Sequence, residues 1–377
     1  MRIYLDNNAT SPIHPAVLDA VASAMRDGYG NASSVHREGQ DARRVLEEAR
    51  DAIAALVGTR PREIVFTSGG TESNNAAILG LAPSGNGHIV TTSIEHPSAL
   101  EAVRRLEARG CRVTRVGCDR SGTVPAAAMI DALRPETALV VMILAQSETG
   151  VLQPVAEVAA ACRARGIPIH CDAVQAVGRI PVDLERLGAD TAAFNAHKMH
   201  GPKGIGALRV RAGLALDPLI VGGAQERRRR AGTESVPLAA GFAAAARLAA
   251  EEGRGEQIAA LRDEIERRIL ASVPDARING AGAARLPNTT NVLLPGCDAE
   301  AVVIALDLRG VAASTGSACS SGRVEPSRVL IEMGLSEEDA RSSIRLSLGH
   351  FTTAEEVERA AAILAEVAAG GRRPAHA

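Results

Sequence analysis

Helical and strand-like patterns of apolar residues alternate along roughly the first 210 residues of the chain. Apolar residues keep helical spacing from Val45 to Val57 within 37–57, and Gly58 is placed to end that helix. Further helical stretches are predicted at 97–109, 125–134 and 154–165. Short, continuous apolar runs predict strands at 63–66, 88–91, 112–116, 138–144, 167–171 and 191–194.

This alternation predicts an α/β fold with a mostly parallel central sheet covered by helices. The strands are apolar throughout rather than at every second residue, as in sheets buried on both faces. A long Ala-rich helical region, 235–272, leads to a smaller α/β segment that contains 289–295 and 300–350. Ligands of such sheets bind beyond the carboxyl ends of the strands, so the residues after each strand are the candidates for a site.

The composition describes a globular protein, with 46% hydrophobic and 23% charged residues over 377 positions. The formal net charge of −2 gives no electrostatic reason to expect nucleic acid or a membrane surface as a partner. No run reaches the ~20 apolar residues of a spanning helix. The first residues contain no apolar stretch of the kind found in signal peptides, so we expect a cytoplasmic protein.

Six cysteines show no CxxC pair and no metal-ligand spacing, which predicts free thiols in a reducing compartment and no metal site. Five of them lie in or beside apolar segments, where a small buried residue is the default interpretation. Cys319 differs, because the stretch 313–322 consists of small residues without apolar periodicity. The pattern predicts a thiol on a loop rather than in the core.

Several predicted strands are followed by polar residues that could bind a ligand. The sequence 67–75 contains Gly69 and Gly70 before an apolar helix, which suits a phosphate, although an ordinary capped turn is the alternative. Asp172 follows the strand 167–171 and would need a cationic partner, such as a protonated pyridine nitrogen, unless it caps the next helix. His96 follows the strand 88–91, where a histidine is more often a cap or a core residue than a catalytic group.

Only two of the 42 basic residues are lysines, Lys198 and Lys203. Arginine stays protonated at neutral pH, whereas a desolvated lysine can lose its proton and attack an aldehyde. A phosphate site, a planar stacking group, an anion for a ring nitrogen and an imine-forming lysine are together what pyridoxal phosphate requires. A dinucleotide-binding fold explains the pattern less well, because no GxGxxG motif follows the first strand.

With these residues in place, the chain resembles the cysteine desulfurases of the NifS/IscS type, within the class V aminotransferase-like group of fold-type I pyridoxal-phosphate enzymes. The resemblance runs nearly end to end and is carried by motifs at 4–10, 30–36, 66–75, 148–150, 172–178, 197–206, 222–233, 314–321 and 343–349. It implies a large cofactor-binding domain, 15–255. A small domain, 1–14 with 256–377, would carry the catalytic cysteine.

The resemblance also implies a cofactor role for each matched residue. Lys198 would bond covalently to the cofactor aldehyde, His96 would stack on the pyridine ring and transfer protons, and Asp172 would pair with the ring nitrogen. Gln175 would donate a hydrogen bond to the phenolic oxygen. The remaining cofactor-binding residues would be Gly70, Thr71 and His197 at the phosphate, Ser147 and Asn195 beside the ring, and Thr233 from the other subunit of a homodimer.

For the reaction, the resemblance implies conversion of L-cysteine to L-alanine, with the sulfur left on Cys319 as a persulfide. Arg345, with Ser147, would bind the substrate carboxylate. The persulfide would pass to a sulfur-acceptor protein, either an iron–sulfur scaffold or another thiol carrier.

Four residues, at three places in the chain, depart from the family pattern. Gln146 and Ser147 stand where two asparagines are usual, Asn195 replaces a serine, and Arg228 replaces a glycine. Because two of these changes fall in the cofactor shell, selenocysteine lyase or another pyridoxal-phosphate-dependent C–S lyase is an alternative. A weakly active subunit of a sulfur-relay complex is a further alternative.

Overall fold

The computed structural model describes residues 2–82, 87–251, 254–315 and 325–371. Within these ranges the strands are β1 (Ile3–Tyr4), β2 (Ile64–Thr67), β3 (His88–Thr92), β4 (Arg112–Val116), β5 (Thr137–Ile143), β6 (Ile169–Asp172), β7 (Thr191–Asn195), β8 (Gly206–Val210), β9 (Arg277–Ile278), β10 (Thr289–Leu293), β11 (Val311–Ala312) and β12 (Ser343–Ser347). The helices are α1 (Pro15–Asp27), α2 (Arg37–Leu56), α3 (Gly70–Gly80), α4 (Pro97–Glu107), α5 (Ala126–Asp131), α6 (Val155–Ala164), α7 (Leu184–Leu187), α8 (Val236–Ala249), α9 (Arg254–Ser272), α10 (Ala299–Leu308), α11 (Arg328–Glu332), α12 (Glu337–Arg341) and α13 (Ala354–Gly371).

The large sheet has the strand order β2-β8-β7-β6-β5-β3-β4. Its central strands β7, β6, β5 and β3 and the edge strand β4 run parallel, whereas β8 is antiparallel to both β2 and β7. The predicted α/β class with a mostly parallel sheet is therefore confirmed. The carboxyl ends of β3, β5, β6 and β7 meet at one edge of this sheet, where a ligand site is expected.

Strand β8 was not predicted from the sequence. It follows β7 after only ten residues, 196–205, which are too few for the helical crossover that a parallel strand needs. The chain therefore turns back, and Asn195 pairs with Gly206 at the turn end of the antiparallel ladder. This turn contains both lysines of the chain.

The predicted helices form within a few residues of their expected bounds, but the region 235–272 is two helices, α8 and α9, rather than one. Helix α8 packs against α1 and α2 beside the large sheet. Helix α9 packs against α13, on a second hydrophobic core that includes Ile265, Val302 and Leu364. That second core surrounds the antiparallel sheet β12-β10-β9 and the parallel pair β1-β11. Among the described helices, none combines the length and the apolar character needed to cross a bilayer.

Candidate functional site

A cavity of about 440 Å³ opens at the carboxyl edge of the large sheet. It gathers nine of the residues predicted to bind a cofactor: Gly70, Thr71, His96, Ser147, Asp172, Gln175, Asn195, His197 and Lys198. These residues come from loops after β2, β3, β5, β6 and β7, which are far apart in sequence. The parallel arrangement of the sheet brings them together.

One end of the cavity is formed by the start of α3. Gly70 is the first residue of this helix, and a Cβ added there would lie 2.6 Å from Cγ2 of Val174, so a larger side chain would collide. Free backbone N–H groups and the positive end of the helix dipole favour an anion at such a position. Lys203 lines the same cavity and adds a positive charge. This end of the cavity therefore suits the phosphate of the cofactor.

His197 lies close to this end of the cavity. Burial, together with the nearby cations Lys198 and Lys203, lowers the pKa of His197 to about 4. The imidazole is therefore neutral at physiological pH, and its Nδ1 atom lies 3.2 Å from Oγ1 of Thr10. A neutral imidazole retains one N–H, so it can donate a hydrogen bond without carrying a charge.

Asp172 ends β6 and is buried, with 2% of its surface exposed. Its Oδ2 accepts a hydrogen bond of 2.7 Å from Nδ2 of Asn74, and its Oδ1 accepts one of 3.0 Å from the backbone N–H of Val174. Within the described chain, no cationic side chain forms an ion pair with it. A buried carboxylate held only by neutral donors suits a positively charged partner such as a protonated pyridine nitrogen.

Asn74 was not singled out from the sequence, although it belongs to the 67–75 motif. Its Nδ2 donates both to Asp172 and, at 2.8 Å, to Oγ of Ser98. Its Oδ1 lies 2.9 Å from Nε2 of His170, and burial lowers the pKa of that imidazole to about 3. His170 is therefore neutral and donates to Asn74, which orients the amide so that its N–H groups face Asp172.

His96 is the N-cap of α4, as one of the two interpretations of the sequence expected, and it also lines the cavity. Its Nδ1 accepts a hydrogen bond from the backbone N–H of Ser98 at 3.1 Å and lies 2.7 Å from Oγ of that residue. Burial is the largest cause of its lowered pKa, Lys198 contributes in the same direction, and Asp172 opposes them. The cap thus holds a neutral ring against the cavity.

Lys198 lies in the turn between β7 and β8. Burial, and then the positive charges of Arg179 and Arg345, lower the pKa of its amine to about 7. Its Nζ donates to the backbone carbonyls of Asn8 and, at 2.6 Å, of Ala9. An amine with this pKa is largely unprotonated in mildly alkaline solution and can act as a nucleophile.

Two of the three departures from the family pattern form defined hydrogen bonds. Oδ1 of Asn195 accepts from the backbone N–H of Lys198 at 3.2 Å, which is a bond that a serine hydroxyl can also accept. Oε1 of Gln146 accepts from the backbone N–H groups of Glu148 and Thr149, at 2.5 and 3.1 Å. Arg228 adopts a left-handed φ of 65°, the conformation that favours the glycine usual there.

Arg345, on β12, is buried but does not line the cavity. Its Nη2 pairs with Oδ1 of Asp6 at 2.7 Å, and its Nη1 donates to the carbonyl of Ser147 at 3.1 Å. Its Nε has no hydrogen-bond partner within the described structure. Arg345 therefore retains a buried N–H that could bind an anion next to the cavity residue Ser147.

Besides Arg345, two further predicted site residues, Thr233 and Cys319, are not among the residues that line this cavity. Thr233 is exposed and does not line it. Cys319 lies outside the described residues, so the structure does not place it. Among the five other cysteines, Cys118 is half-buried and the rest are buried.

The chain is similar to known proteins over nearly its whole length. Residues 3–360 match the model of the aminotransferase class-V family. A cysteine desulfurase from Trichormus azollae is 42% identical over 369 residues, which cover 97% of this chain and 92% of that protein. An IscS-like cysteine desulfurase from Mycobacterium tuberculosis is 41% identical, covering 99% of this chain and 98% of its own length.

Solved structures are similar over the same length. The NifS-like protein from Rickettsia africae is 34% identical with a TM-score of 0.88, covering 97% of this chain and 99% of that one. A structure described as SspA in complex with cysteine is 34% identical with a TM-score of 0.84, covering 94% and 100%. The chain therefore belongs to the class-V aminotransferase family and, within it, to the group of the cysteine desulfurases. Members of this group depend on pyridoxal phosphate, and the cavity described above fits that cofactor.

Proposed function

We propose that this protein is a cysteine desulfurase that converts L-cysteine to L-alanine and transfers the sulfur to Cys319 as a persulfide. The observation that carries the proposal is one cavity that combines a lysine with a lowered pKa, a buried carboxylate with neutral partners only and a neutral imidazole. The relatives named cysteine desulfurase, at 41–44% identity over most of the chain, support the choice of L-cysteine as substrate.

The chain's own residues would hold pyridoxal phosphate at both ends. Gly70, Thr71 and His197 would bind the phosphate, joined by Thr233 of a second copy. At the ring, Asp172 would pair with the nitrogen, Gln175 would donate to the phenolic oxygen, His96 would stack, Ser147 and Asn195 would complete the pocket, and Lys198 would attach covalently. When bound, the cofactor withdraws electrons from the Cα atom of the amino acid and so allows a proton to leave it.

In the proposed reaction, Arg345 binds the substrate carboxylate, and the neutral amine of Lys198 or the imidazole of His96 takes the Cα proton. The thiolate of Cys319 then attacks the substrate sulfur. An S–S bond forms on Cys319 as the Cβ–S bond of the substrate breaks, and proton delivery to Cβ and Cα completes L-alanine. A thiol has an ordinary pKa near ~8.5, so activity is expected to rise toward mildly alkaline pH.

A visible absorption spectrum with and without L-cysteine, followed by an alanine assay, tests the proposal. We expect a yellow protein whose spectrum changes on adding L-cysteine and which forms alanine. Cys319→Ser should still change its spectrum but form neither alanine nor persulfide, whereas the matched control Cys118→Ser should retain both products. Persulfide found on another cysteine, with alanine still formed by Cys319→Ser, would overturn the assignment.

Selenocysteine lyase activity is the alternative, because Ser147 and Asn195 line the cavity at positions where the family usually has asparagine and serine. A comparison of kcat/KM for L-cysteine and L-selenocysteine decides between the two. Release of selenium from a Cys319→Ser variant at the wild-type rate would favour the lyase, since a lyase does not need the thiol. A catalytically weak sulfur-relay subunit is disfavoured by the lowered pKa of Lys198.

A homodimer with shared sites belongs to the same proposal. Thr233 is exposed in the single chain, as are the apolar side chains of Tyr29, Val35 and Val221, which are 76%, 88% and 79% exposed. An interface between two copies would cover such side chains. We also propose that the chain forms a large domain, 15–255, and a small domain, 1–14 with 256–377.

Mixing two variants tests the shared sites. Lys198→Ala and Thr233→Asp should each be impaired, but a mixed dimer contains one site with both native residues. Subunit exchange should therefore restore activity, up to half of the wild-type level per exchanged dimer. A fully active monomer in light scattering would contradict the proposal.

The acceptor of the sulfur would be a protein thiol or an iron–sulfur scaffold in a reducing cytoplasm, where Cys319 stays reduced.

A further inference from the structure

Arg179 lies beside the cofactor cavity and, within the described chain, forms no ion pair with a carboxylate. Its Nη2 donates to the carbonyl of Asn7 at 2.9 Å. Its Nη1 donates to the carbonyl of Gln175 at 3.0 Å and also to the side-chain oxygen of that residue. These acceptors are all neutral, so the charge of the guanidinium is not cancelled locally. Arg179 is half-buried, and burial with the charge of Arg345 lowers the pKa of its guanidinium to about 9, so the group is still charged at physiological pH. A partly desolvated cation without a carboxylate partner is destabilising, which suggests that its charge has a use.

The first effect of Arg179 is on the amide of Gln175. A guanidinium can only donate hydrogen bonds, so it binds the oxygen of the Gln175 amide and cannot bind its NH₂ group. The Nε2 of Gln175 is thereby turned away from Arg179, and it donates to the carbonyl of Asn8 at 3.1 Å. Gln175 also lines the cavity. Arg179 thus presents the donor end of Gln175 to the side where an acceptor on a ligand would bind.

The second effect is on Lys198. The carbonyl of Asn8, which accepts from Gln175, also accepts from Nζ of Lys198. Through this shared acceptor the guanidinium, the amide and the amine form one hydrogen-bonded group. Lys198 also borders the second, larger cavity that Arg179 lines, so the two cations face a common space.

Other charged groups surround the amine of Lys198. Arg345 acts in the same direction as Arg179, whereas Asp6 and Asp172 oppose them. The nearby imidazoles of His96 and His197 have lowered pKa values and are neutral at physiological pH. Asp6 is ion-paired with Arg345, which offsets part of the charge of both groups. Of the two guanidinium groups that lower the pKa of Lys198, Arg179 is therefore the one without a carboxylate partner among the described residues. Lys203 lines the same cavity as Lys198, but its side chain is exposed.

The position of Arg179 depends on the residue before it. Gly178 has a left-handed φ of 82°, and a Cβ added there would lie 2.8 Å from Cβ of Met199. Only glycine fits this close approach between the 173–178 segment and the turn that carries Lys198. This contact packs the segment that leads into Arg179 against the turn that carries Lys198.

We propose that Arg179 is a positioning residue that orients the amide of Gln175 and, by its positive charge, keeps the amine of Lys198 in its neutral, nucleophilic form. The inference rests on the proposed role of Lys198 as the nucleophilic amine of the site. Arg179 itself would touch neither the substrate nor the reacting atoms, and it would act through Gln175 and Lys198.

The small number of lysines allows a direct test. The full-length chain, freed of cofactor, is treated briefly with acetic anhydride at pH values from 6 to 10. Mass spectrometry then measures acetylation of Lys198, with Lys203 as the internal reference in the same molecule. In Arg179→Met, we expect the pH at which Lys198 becomes reactive to rise by at least one unit. Such a rise lowers its acetylation at pH 7 by about fivefold, while at pH 10 the two proteins react equally.

Arg262 provides a matched control. It lines the same second cavity, but its guanidinium donates to the carbonyl of Leu286 and pairs with Asp263. Arg262→Met should leave the reactivity of Lys198 unchanged. Arg179→Lys, which preserves the charge, should keep the reactivity of Lys198 at pH 7 within about twofold of wild type, because the protonated fraction depends on the charge.

Each outcome decides the proposal. An unchanged pH profile of Lys198 acetylation in Arg179→Met overturns the proposal. A loss of acetylation that is equal at all pH values also overturns it, because such a loss would reflect how accessible Lys198 is rather than its protonation. If Arg179→Met does not fold, a fivefold loss of Lys198 acetylation at pH 7 in Arg179→Lys overturns the role of the charge.

The role of Arg179 in orienting the Gln175 amide is tested on the holoenzyme. Arg179→Met and Gln175→Leu should change the visible spectrum in the same way, and the double variant should show no larger change than either single variant. Additive changes would overturn that part.

Failure of the proposed function would look different. If Lys198 does not bond to the cofactor, the wild-type holoenzyme will not protect it from acetylation. That result is independent of Arg179.

Discussion

Lys198 is the single residue on which the proposed chemistry depends most. Forty of the 42 basic residues are arginines, yet the turn between β7 and β8 retains an amine. The fold then lowers the pKa of that amine to about 7, through burial and two neighbouring guanidinium groups. We infer that this amine, unlike the arginines elsewhere in the chain, acts as a nucleophile.

Replacing Lys198 by arginine should abolish covalent attachment of the cofactor as completely as replacing it by alanine. Arginine keeps the charge, but a guanidinium with a pKa above ~12 does not form an imine. Absorbance after denaturation and gel filtration measures the cofactor retained by Lys198→Arg and Lys198→Ala, with far-ultraviolet circular dichroism as the control for folding. A Lys198→Arg variant with full activity would contradict the assignment.

Replacing Asp172 by asparagine should weaken cofactor binding by about 100-fold or more. The substitution preserves the shape but removes the buried negative charge, and breaking one side of a buried charge pair costs about 3–5 kcal/mol. Equilibrium dialysis measures the dissociation constant, and Asp27→Asn, at an exposed position on α1, is the control. If Asp172→Asn binds the cofactor within a few-fold of wild type, the residue only caps the turn that follows β6.

At the scale of elements, the segment Gln225–Arg228 shows how a strained backbone is stabilised. Glu226, Arg227 and Arg228 have φ values of 45°, 56° and 65°, and left-handed residues other than glycine cost about 1–3 kcal/mol each. The carboxylate of Glu226 is buried and pairs with both terminal nitrogens of Arg50 on α2, each at 2.9 Å. It also accepts from the backbone N–H of Phe66 at 2.9 Å. One side chain thus attaches the segment before Thr233 to a helix and a strand.

Arg50→Met should destabilise the protein by about 3–5 kcal/mol, because it leaves the carboxylate of Glu226 buried without a cationic partner. The double variant Arg50→Met with Glu226→Gln should recover part of this loss, since the remaining amide carries no charge. Urea denaturation measures both free energies of unfolding. A loss below ~1 kcal/mol for Arg50→Met would show that Glu226 finds water or another donor.

At the scale of the whole molecule, the stability should fall steeply on acidification. The pKa values of His170, His197 and His200 are lowered, mainly by burial, to about 3, 4 and 4. Between the ordinary histidine pKa of ~6.5 and these values, the unfolded chain binds protons that the folded chain does not. Burial raises the pKa values of Glu95, to about 8, and of Glu148, so these two carboxyls oppose the trend.

The pKa values of His88 and His96 are lowered as well, so the five histidines against the two carboxyls leave at least one net proton taken up on unfolding near pH 5.5. The free energy of unfolding of the cofactor-free chain should therefore drop by about 1.4 kcal/mol for each pH unit between 6.5 and 4.5. His170→Gln removes one titrating group and should flatten this slope. Urea denaturation at a series of pH values provides the measurement. An identical slope in His170→Gln would mean that His170 does not supply the proton difference.

Much of this protein could be predicted from local patterns in the sequence. The order and type of the main helices and strands, and the residues that surround the cavity, follow from periodicity and from what stands at each strand end. These properties depend on neighbours within a few residues, so they are visible along the chain. Strand β8 was missed because Arg209 lies between Leu208 and Val210 and interrupts the short run of apolar residues.

The tertiary structure alone decided how the site residues are supported and charged. Asn74 and Asp172 are 98 residues apart, and the carbonyl of Asn8 meets Lys198 across 190 residues. Arg345 and Asp6 are also distant in sequence, and the fold brings them together as an ion pair. Side-chain types and their order come from the sequence. A pKa depends on burial and on which charges lie nearby in space, and only the folded chain brings those groups together.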